Sequence, residues 1–444
     1  MTGSWIHSDI TVQAEALSRG AASSVALVEA QLDEISRRNP TLNAYLHVDT
    51  TAARAAAQAS DVRRAQGRLL GPLDGISVGL KDNIDVAGLP TTAGMATRRG
   101  RIVTADAFVV QRLRAAGVVI LGKLNMHEAA LGATNANPHY GRCENPHRAG
   151  YTPGGSSGGS ACAVAAGLCG FALGTDTMGS VRIPAAYSGV VGLKASFGAV
   201  STRGVVACSY ALDHVGPLTR SHRDLALVWP LLAAYDAACA DSRSVSSQVT
   251  ITTPRLVVAS DIEALGSTPA VAAAYRRAVQ QLRQSGHAIV ETSLAGYPFG
   301  RARRAGLLIV EADLLVEHGD DWREQPHQFS NELMQFMRYA ERQSAAAYAS
   351  ALRVVALAHV EVARWFALAD VMVLPTAPQQ AFAFDDAVPA NQADFTSIAN
   401  MAGVPALSVP LPVAAGELPI GLQFIAPLGA EETLLKLKLN GVTS

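Results

Sequence analysis

The chain has 444 residues, of which 36 are lysine or arginine and 37 are aspartate or glutamate, giving a formal net charge of -1. This balance excludes the broad basic surface of proteins that wrap nucleic acid and the acidic tail of proteins that imitate it. Hydrophobic residues make up 49% of the chain, and a protein of this length buries roughly three quarters of its unfolded surface. Global disorder is therefore excluded, and we predict one globular domain over residues 1–444.

Periodic apolar residues and short Val/Ile-rich runs alternate along the chain. In chain order we predict helix 23–38, helix 51–66, a turn and strand within 71–81, helix 107–116, strand 118–123, strand 256–259, helix 270–285 and strand 287–291. Ser23 or Ser24 is expected to cap the first helix, which Asn39 and Pro40 are expected to end. This alternation is typical of an α/β protein, so we expect a mixed, mostly parallel β-sheet covered by helices on both faces.

The second half of the chain contains a variable peripheral helical region at about 240–370. Residues 239–253 are polar and Ser-rich, which predicts a surface loop between two lobes. Residues 331–368 are helical in pattern and carry large apolar side chains that either pack in the core or form a wall facing a substrate: Met334, Phe336, Met337, Tyr339, Tyr348 and Trp365.

The five cysteines are odd in number and form no CxxC pair, which argues against a disulfide framework and a zinc site. We expect reduced, buried thiols, no metal and no cofactor. The first residues lack the basic patch and apolar run of a secretory signal, and the longest apolar stretch, 161–173, is too short to span a bilayer. These features predict a cytoplasmic protein that binds no membrane.

Residues 154–160 (GGSSGGS) are the most informative stretch. Such a run costs backbone entropy unless its geometry is required, and an Ala-rich helix follows it directly. The pattern GxxxxGK[ST] is absent, so a phosphate-binding loop is disfavoured. Pro153 and the helix also argue against a flexible linker.

Residues 174–184 (GTDTMGSVRIP) form the second motif, in which Ser180 follows a glycine in a predicted tight turn. Backbone N–H groups in such a turn converge on one point, as an oxyanion hole requires, so Ser180 is a candidate nucleophile. A serine also needs a base. His127 and His214 offer no recognisable catalytic pattern, whereas Lys81 ends an apolar strand, where burial would lower its pKa and supply a neutral amine.

Three segments together, 79–83 (GLKDN), 154–160 and 174–184, resemble the amidase signature family, whose catalytic set is Ser, cis-Ser and Lys. The interval between Ser156 and Ser180 matches that of the family. The resemblance extends to further segments: 39–43, 122–126, 212–219, 403–408 and 418–423. Residues from about 240 to 370 carry no clear family pattern.

The resemblance implies that Lys81 accepts a proton from Ser156, which takes one from Ser180 as Ser180 attacks an amide carbonyl. Ser156 is expected to follow a cis peptide bond to Gly155. Ser157 is expected to support Lys81, and Asp176 and Arg182 to brace the loop. The implied oxyanion donors are the backbone N–H groups of Thr177, Met178, Gly179 and Ser180. Further candidates for the substrate-binding wall are Met126, Phe336, Met337, Tyr339 and Gln379.

Met178 departs from the family, which usually has glycine or alanine there. Backbone N–H donation needs no particular side chain, so we expect an altered substrate shape and retained activity. A positive φ at this residue would instead strain the methionine and distort the hole.

The predicted function is hydrolysis of a small carboxamide to a carboxylate and ammonia or an amine through an acyl-serine intermediate. One alternative is the glutaminase subunit of a tRNA-dependent amidotransferase, which needs partner chains. Another is a hydrolase of urea-like compounds such as carboxybiuret or allophanate. A catalytically silent binding protein is the hypothesis from a different class, motivated by Met178. We expect a small-molecule amide as ligand and no direct binding of nucleic acid, and the resemblance implies a homodimer.

Overall fold

The computed structural model describes residues 2–244 and 250–439. Its strands are β1 Tyr45–Val48, β2 Ser77–Lys81, β3 Val119–Leu124, β4 Phe171–Asp176, β5 Val191–Lys194, β6 His214–Thr219, β7 Leu256–Ala259, β8 Ile289–Thr292, β9 Val371–Pro375, β10 Ala406–Pro410 and β11 Gly421–Ile425. They form a sheet with the order β1-β3-β2-β4-β6-β5-β10-β11-β9-β7-β8. The strands β2 and β4, which lead into two of the sequence motifs, are therefore direct neighbours in this sheet.

The α-helices are α1 Ile10–Ser18, α2 Ser24–Leu42, α3 Thr50–Ala65, α4 Phe108–Ala115, α5 Gly158–Ala165, α6 Arg182–Ser188, α7 Leu225–Leu232, α8 Pro269–Gln284, α9 Phe299–Glu317, α10 Gly319–Glu324, α11 Asn331–Glu341, α12 Ala345–Val355, α13 Leu357–Leu368, α14 Asp394–Met401 and α15 Glu431–Leu435. Every residue of β2 to β7 and of β9 to β11 is buried, whereas the edge strands β1 and β8 are partly exposed. Side chains point alternately to the two faces of a strand, so burial of every residue means that both faces are covered. The α/β class and the covered sheet are confirmed.

The sheet is mixed, but the expectation that it is mostly parallel is wrong. Among the described residues, four neighbouring pairs are parallel and six are antiparallel. Strands that are buried on both faces are apolar throughout whichever way their neighbours run, so the sequence pattern carries no information on direction.

The predicted elements lie within two residues of the observed ones, with one exception at the end of α2. Ser23 caps this helix by accepting a hydrogen bond from the Ala26 N–H at 3.1 Å. The helix then passes Asn39 and Pro40 and ends at Leu42, because Asn43 takes the left-handed conformation (φ 49°) and donates its N–H to the Asn39 carbonyl. A left-handed asparagine is a common helix terminator.

The peripheral region contributes β7 and β8 to the same sheet and places α9 against α11 and α12. Part of the predicted surface loop, residues 245–249, lies outside the described residues. The helical stretch Ala345–Leu368 is long and apolar enough to cross a membrane by length and composition alone, and 33% of its apolar 18-residue window is buried in the protein. Its buried side chains, including Trp365, belong to the main hydrophobic core, as is also typical of a helix that covers a core.

Candidate active site

Lys81 is the last residue of β2, and its side chain is fully buried. β2 runs parallel to β4, so the carboxyl ends of the two strands lie side by side. Lys81 Nζ lies 2.7 Å from Ser156 Oγ and 2.7 Å from Thr175 Oγ1. The amine is thus held between the Ser-rich loop and the end of β4.

Burial lowers the pKa of Lys81 to about 7, because the ammonium form loses its hydration. The negative charges of Asp213 and Asp176 oppose this change and keep the pKa from falling further. A substantial fraction of the amine is therefore neutral at physiological pH and able to accept a proton.

The Ser-rich loop depends on close approach of backbone to backbone. The Gly155–Ser156 peptide bond is cis, as the family resemblance implies. A Cβ on Gly155 would lie 2.9 Å from the Ala133 carbonyl carbon, and one on Gly159 would lie 2.4 Å from the Asn125 carbonyl oxygen. A side chain at either glycine would collide with backbone, so these positions require glycine and the loop is not a flexible linker.

Ser180 is partly exposed and lies in a cavity of about 260 Å³. Its carbonyl accepts a hydrogen bond from the Ser157 N–H at 3.2 Å, which joins the loop after β4 to the Ser-rich loop. Two charged side chains, Arg303 and Glu332, also line the cavity. Its apolar walls include Leu131, Ile183, Leu307, Val310, Phe336 and Val388.

The loop before Ser180 offers three of the four predicted oxyanion donors. The Gly179 N–H donates to the Asp176 carboxylate at 2.7 Å and is therefore not available, which corrects the predicted set. Within residues 2–244 and 250–439, the N–H groups of Thr177, Met178 and Ser180 have no hydrogen-bond partner. Met178 is not among the described residues with positive φ, so the strain considered for it is absent.

A buried ion pair braces this loop, as expected for Asp176 and Arg182. The guanidinium donates to both carboxylate oxygens of Asp176 at 2.9 Å, and also to the Thr396 carbonyl and the Gln423 side chain. Burial alone would raise the pKa of Asp176, but the Arg182 charge and hydrogen bonds from Arg182 and Asn400 hold this pKa well below its usual range. The network ties the loop to α14 and β11.

Thr175 and not Ser157 supports Lys81, which corrects a second expectation. Ser157 Oγ donates to the Thr175 carbonyl at 3.1 Å and accepts from the Thr175 N–H at 3.2 Å. Both hydrogen bonds fix the end of β4, and the Thr175 hydroxyl then accepts a hydrogen bond from Lys81 Nζ. In the sequence, Thr175 is marked only by its position two residues before Thr177, the first predicted oxyanion donor.

Asp213 is a second residue that sequence reasoning missed. Its carboxylate accepts hydrogen bonds from Thr177 Oγ1 at 2.6 Å and from the Cys208 N–H at 2.8 Å. Burial raises the pKa of Asp213 to about 6, partly offset by these hydrogen bonds and by the charge of Lys81. Asp213 therefore positions one predicted oxyanion residue and acts electrostatically on the predicted base.

Only one of the remaining candidates lines the cavity, and the others lie in the core or elsewhere. Phe336 lines the cavity, whereas Met126 and Met337 are fully buried in the core and do not. Tyr339 is partly exposed beneath the Arg304 guanidinium, 4.5 Å from its ring centre. Gln379 is not among the residues that line the cavity either.

Within the described residues, the side chains of His214 and His127 have hydrogen-bond partners other than Ser180, the predicted nucleophile. His214 Nδ1 lies 2.7 Å from the Leu212 carbonyl, and His127 Nδ1 lies 3.4 Å from Thr134 Oγ1. Burial lowers the pKa of His214 well below its usual value. In the described parts of the chain, no group of three or more His, Cys, Asp or Glu side chains could hold a metal ion.

Known proteins are similar to this chain over almost its full length. The family model for Amidase matches residues 26–435. The A-type subunit of glutamyl-tRNA(Gln) amidotransferase from Chloroflexus aurantiacus is 36% identical over 97% of this chain and 95% of its own length. The corresponding protein of Anaeromyxobacter dehalogenans is 38% identical over 94% of this chain and 92% of its own.

Two solved structures share the fold. One, described as an unexpected vestigial protein complex that reveals the evolutionary origins of an s-triazine catabolic enzyme, has a TM-score of 0.90 and 32% identity and covers 98% of this chain and 99% of its own. The peptide amidase of Stenotrophomonas maltophilia has a TM-score of 0.85 and 29% identity and covers 97% of this chain and 96% of its own. The fold and these relatives define an enzyme that cleaves amide bonds. The chain belongs to the Amidase family, which is the amidase signature family that its motifs resemble.

The Asp176–Arg182 pair predicts a large loss of stability when its cation is removed. Arg182→Met leaves the Asp176 carboxylate buried without its partner, which costs about 3–5 kcal/mol in the free energy of unfolding. Urea unfolding of the purified protein measures this change. Arg276→Met, which removes an exposed ion pair to Glu263, is the control and should change the free energy by less than about 1 kcal/mol. Equal effects of the two substitutions would contradict a structural role for the buried pair.

Proposed function

We propose that the chain hydrolyses a carboxamide through an acyl-enzyme intermediate on Ser180. The observation that carries this proposal is the 2.7 Å contact between Lys81 Nζ and Ser156 Oγ beneath the cavity that Ser180 lines. A buried lysine whose pKa lies at about 7 is a base matched to neutral pH.

We infer the following order of proton transfers and bond changes for these groups. The Lys81 amine takes the Ser156 hydroxyl proton, Ser156 takes the proton of Ser180, and Ser180 Oγ attacks the amide carbon. The free N–H groups of Thr177, Met178 and Ser180 stabilise the negative oxygen that forms. Ser156 gives a proton to the leaving nitrogen, which departs as ammonia or an amine, and Lys81 returns its proton to Ser156. Water then hydrolyses the acyl ester to a carboxylate and restores Ser180.

The relatives favour the glutaminase alternative over the stand-alone hydrolase of small carboxamides. The two sequence relatives above are both A-type subunits of an amidotransferase and are aligned over almost their full length. Two charged residues of the cavity wall, Arg303 and Glu332, would receive the α-carboxylate and α-ammonium groups of glutamine. In this structure Arg303 pairs with Asp394, and Glu332 lies 3.7 Å from His127 Nε2. We therefore propose glutamine as the first substrate to test and other protein chains of an amidotransferase as the partners to look for.

Ammonia release from a matched set of amides distinguishes the candidates. The set comprises glutamine, simple aliphatic and aryl amides, and ureido compounds such as biuret derivatives, each assayed with the isolated chain. The glutaminase function is supported if glutamine is the only amide of the set that the isolated chain hydrolyses. It is also supported if glutamine is hydrolysed only after partner chains are added. Hydrolysis of simple or ureido amides by the isolated chain supports a stand-alone hydrolase. No ammonia from any of them would contradict the proposed function.

Replacing the predicted nucleophile should abolish turnover. Ser180→Ala is expected to lower kcat for the best amide by about ten-thousandfold or more, because no acyl ester can form. A fluorophosphonate should label the unaltered protein and not this variant. The control Ser18→Ala changes an exposed hydroxyl on α1 and should leave both readouts unchanged. Full turnover by Ser180→Ala would contradict the proposal.

The pH dependence of kcat/KM should follow Lys81. The reacting amine must be neutral, so the rate should fall about tenfold per pH unit below the pKa of about 7 and level off above it. Asp213→Asn removes a negative charge that favours the ammonium form, so the midpoint of the fall should move to lower pH.

Asp313→Asn is the matched control for this shift. Asp313 is also a partly buried carboxylate, which accepts from Ser209 Oγ and the Tyr210 N–H. Asp313 is not one of the charges that shift the pKa of Lys81, so its replacement should leave the midpoint unmoved. A rate that stays flat from about pH 5 to 9 would contradict the lysine base.

A further inference from the structure

We propose that Met178 and Gly306 form a size filter for the acyl part of the substrate, so that the enzyme acts on carboxamides with an unbranched acyl chain. This inference rests on the proposed amide hydrolysis at Ser180. It extends that proposal by assigning selection of the substrate to Met178, in the loop before Ser180, and to Gly306, in helix α9.

Met178 lies in the wall of the cavity, two residues before Ser180. Its carbonyl oxygen accepts a hydrogen bond from Thr396 Oγ1 at 2.7 Å, which ties the backbone of the loop to α14. The side chain is 9% exposed, so it is packed and also reaches the cavity surface. Met178 thus forms part of the same cavity wall as Ser180.

Gly306 lies on α9 directly opposite this thioether. A Cβ on Gly306 would be 3.2 Å from Met178 Cε, 3.3 Å from Met178 Sδ and 2.7 Å from Met401 Cε. The side chains of Met401 and Met178 therefore together occupy the space that a side chain at position 306 would fill. Leu307 and Val310 on the same helix line the cavity, so α9 forms the wall against which Met178 rests.

This contact closes the cavity near the nucleophile on the side of α9. An acyl chain that leaves the reacting carbon in a straight line can pass along Leu307 and Val310. A chain that branches at the first carbon meets the Met178 thioether. A single misplaced methyl group in an apolar pocket changes kcat/KM by about tenfold or more, which is enough for the contact to act as a filter.

The test uses two isomers with equal numbers of atoms, butanamide and 2-methylpropanamide. Met178→Ala removes the obstruction and should raise kcat/KM for the branched isomer relative to the straight one by about tenfold. Gly306→Ala pushes the thioether toward the substrate and should lower this ratio below that of the unaltered protein. The double variant should keep a ratio above that of the unaltered protein, because the Met178 thioether is then absent and the added methyl group displaces only the Met401 side chain.

Gly300→Ala is the matched control on α9. A Cβ there meets only Arg303 Nη2 at 3.8 Å, so the ratio should not change. Binding of the two isomers to each variant, followed by ligand-observed NMR, gives the same ratio without turnover. Unchanged ratios in Met178→Ala by both readouts would overturn the filter. Loss of turnover in every variant with the binding ratios shifted as expected would instead contradict the proposed reaction.

Discussion

The burial of one amine at the carboxyl end of β2 is the constraint on which the rest of the site depends. Lys81 loses its hydration, and the hydroxyl groups of Ser156 and Thr175 replace it with two short hydrogen bonds. Those groups must be held in place by other means, since a loosely placed hydroxyl would not compensate a buried amine. The cis bond at Ser156, the two Ser157 hydrogen bonds to Thr175 and the parallel pairing of β2 with β4 provide this support.

Two carboxylates near the Lys81 amine, Asp176 and Asp213, act on its pKa without pairing with it. Arg182 holds Asp176 in a buried ion pair, and hydrogen bonds from Thr177 and Cys208 hold Asp213. Each carboxylate is thus already engaged by donors of its own and acts on Lys81 only through space. The same two residues also shape the loop before Ser180, so the base and the oxyanion donors are supported by one set of contacts.

The sequence predicted the residues of the site more accurately than it predicted the strand directions of the sheet. Ser180 and Lys81 could be singled out from the turn and the strand that carry them, the role of Ser156 followed from the family resemblance, and the structure brings the three segments together. Thr175 and Asp213 were missed because a lone threonine or aspartate beside a strand carries no distinctive pattern. Gly179 was predicted as a donor because no sequence pattern reveals that the Asp176 carboxylate occupies its N–H. Strand direction was wrong because buried strands look alike in either direction.

Direct titration of Lys81 tests the central claim most closely. The chain contains five lysines, so selective isotopic labelling gives an NMR spectrum with few side-chain signals, and the signal of Lys81 is the one that Lys81→Met removes. The account predicts a midpoint near pH 7 for this signal. A side chain that stays charged up to about pH 10, the ordinary range for lysine, would contradict it.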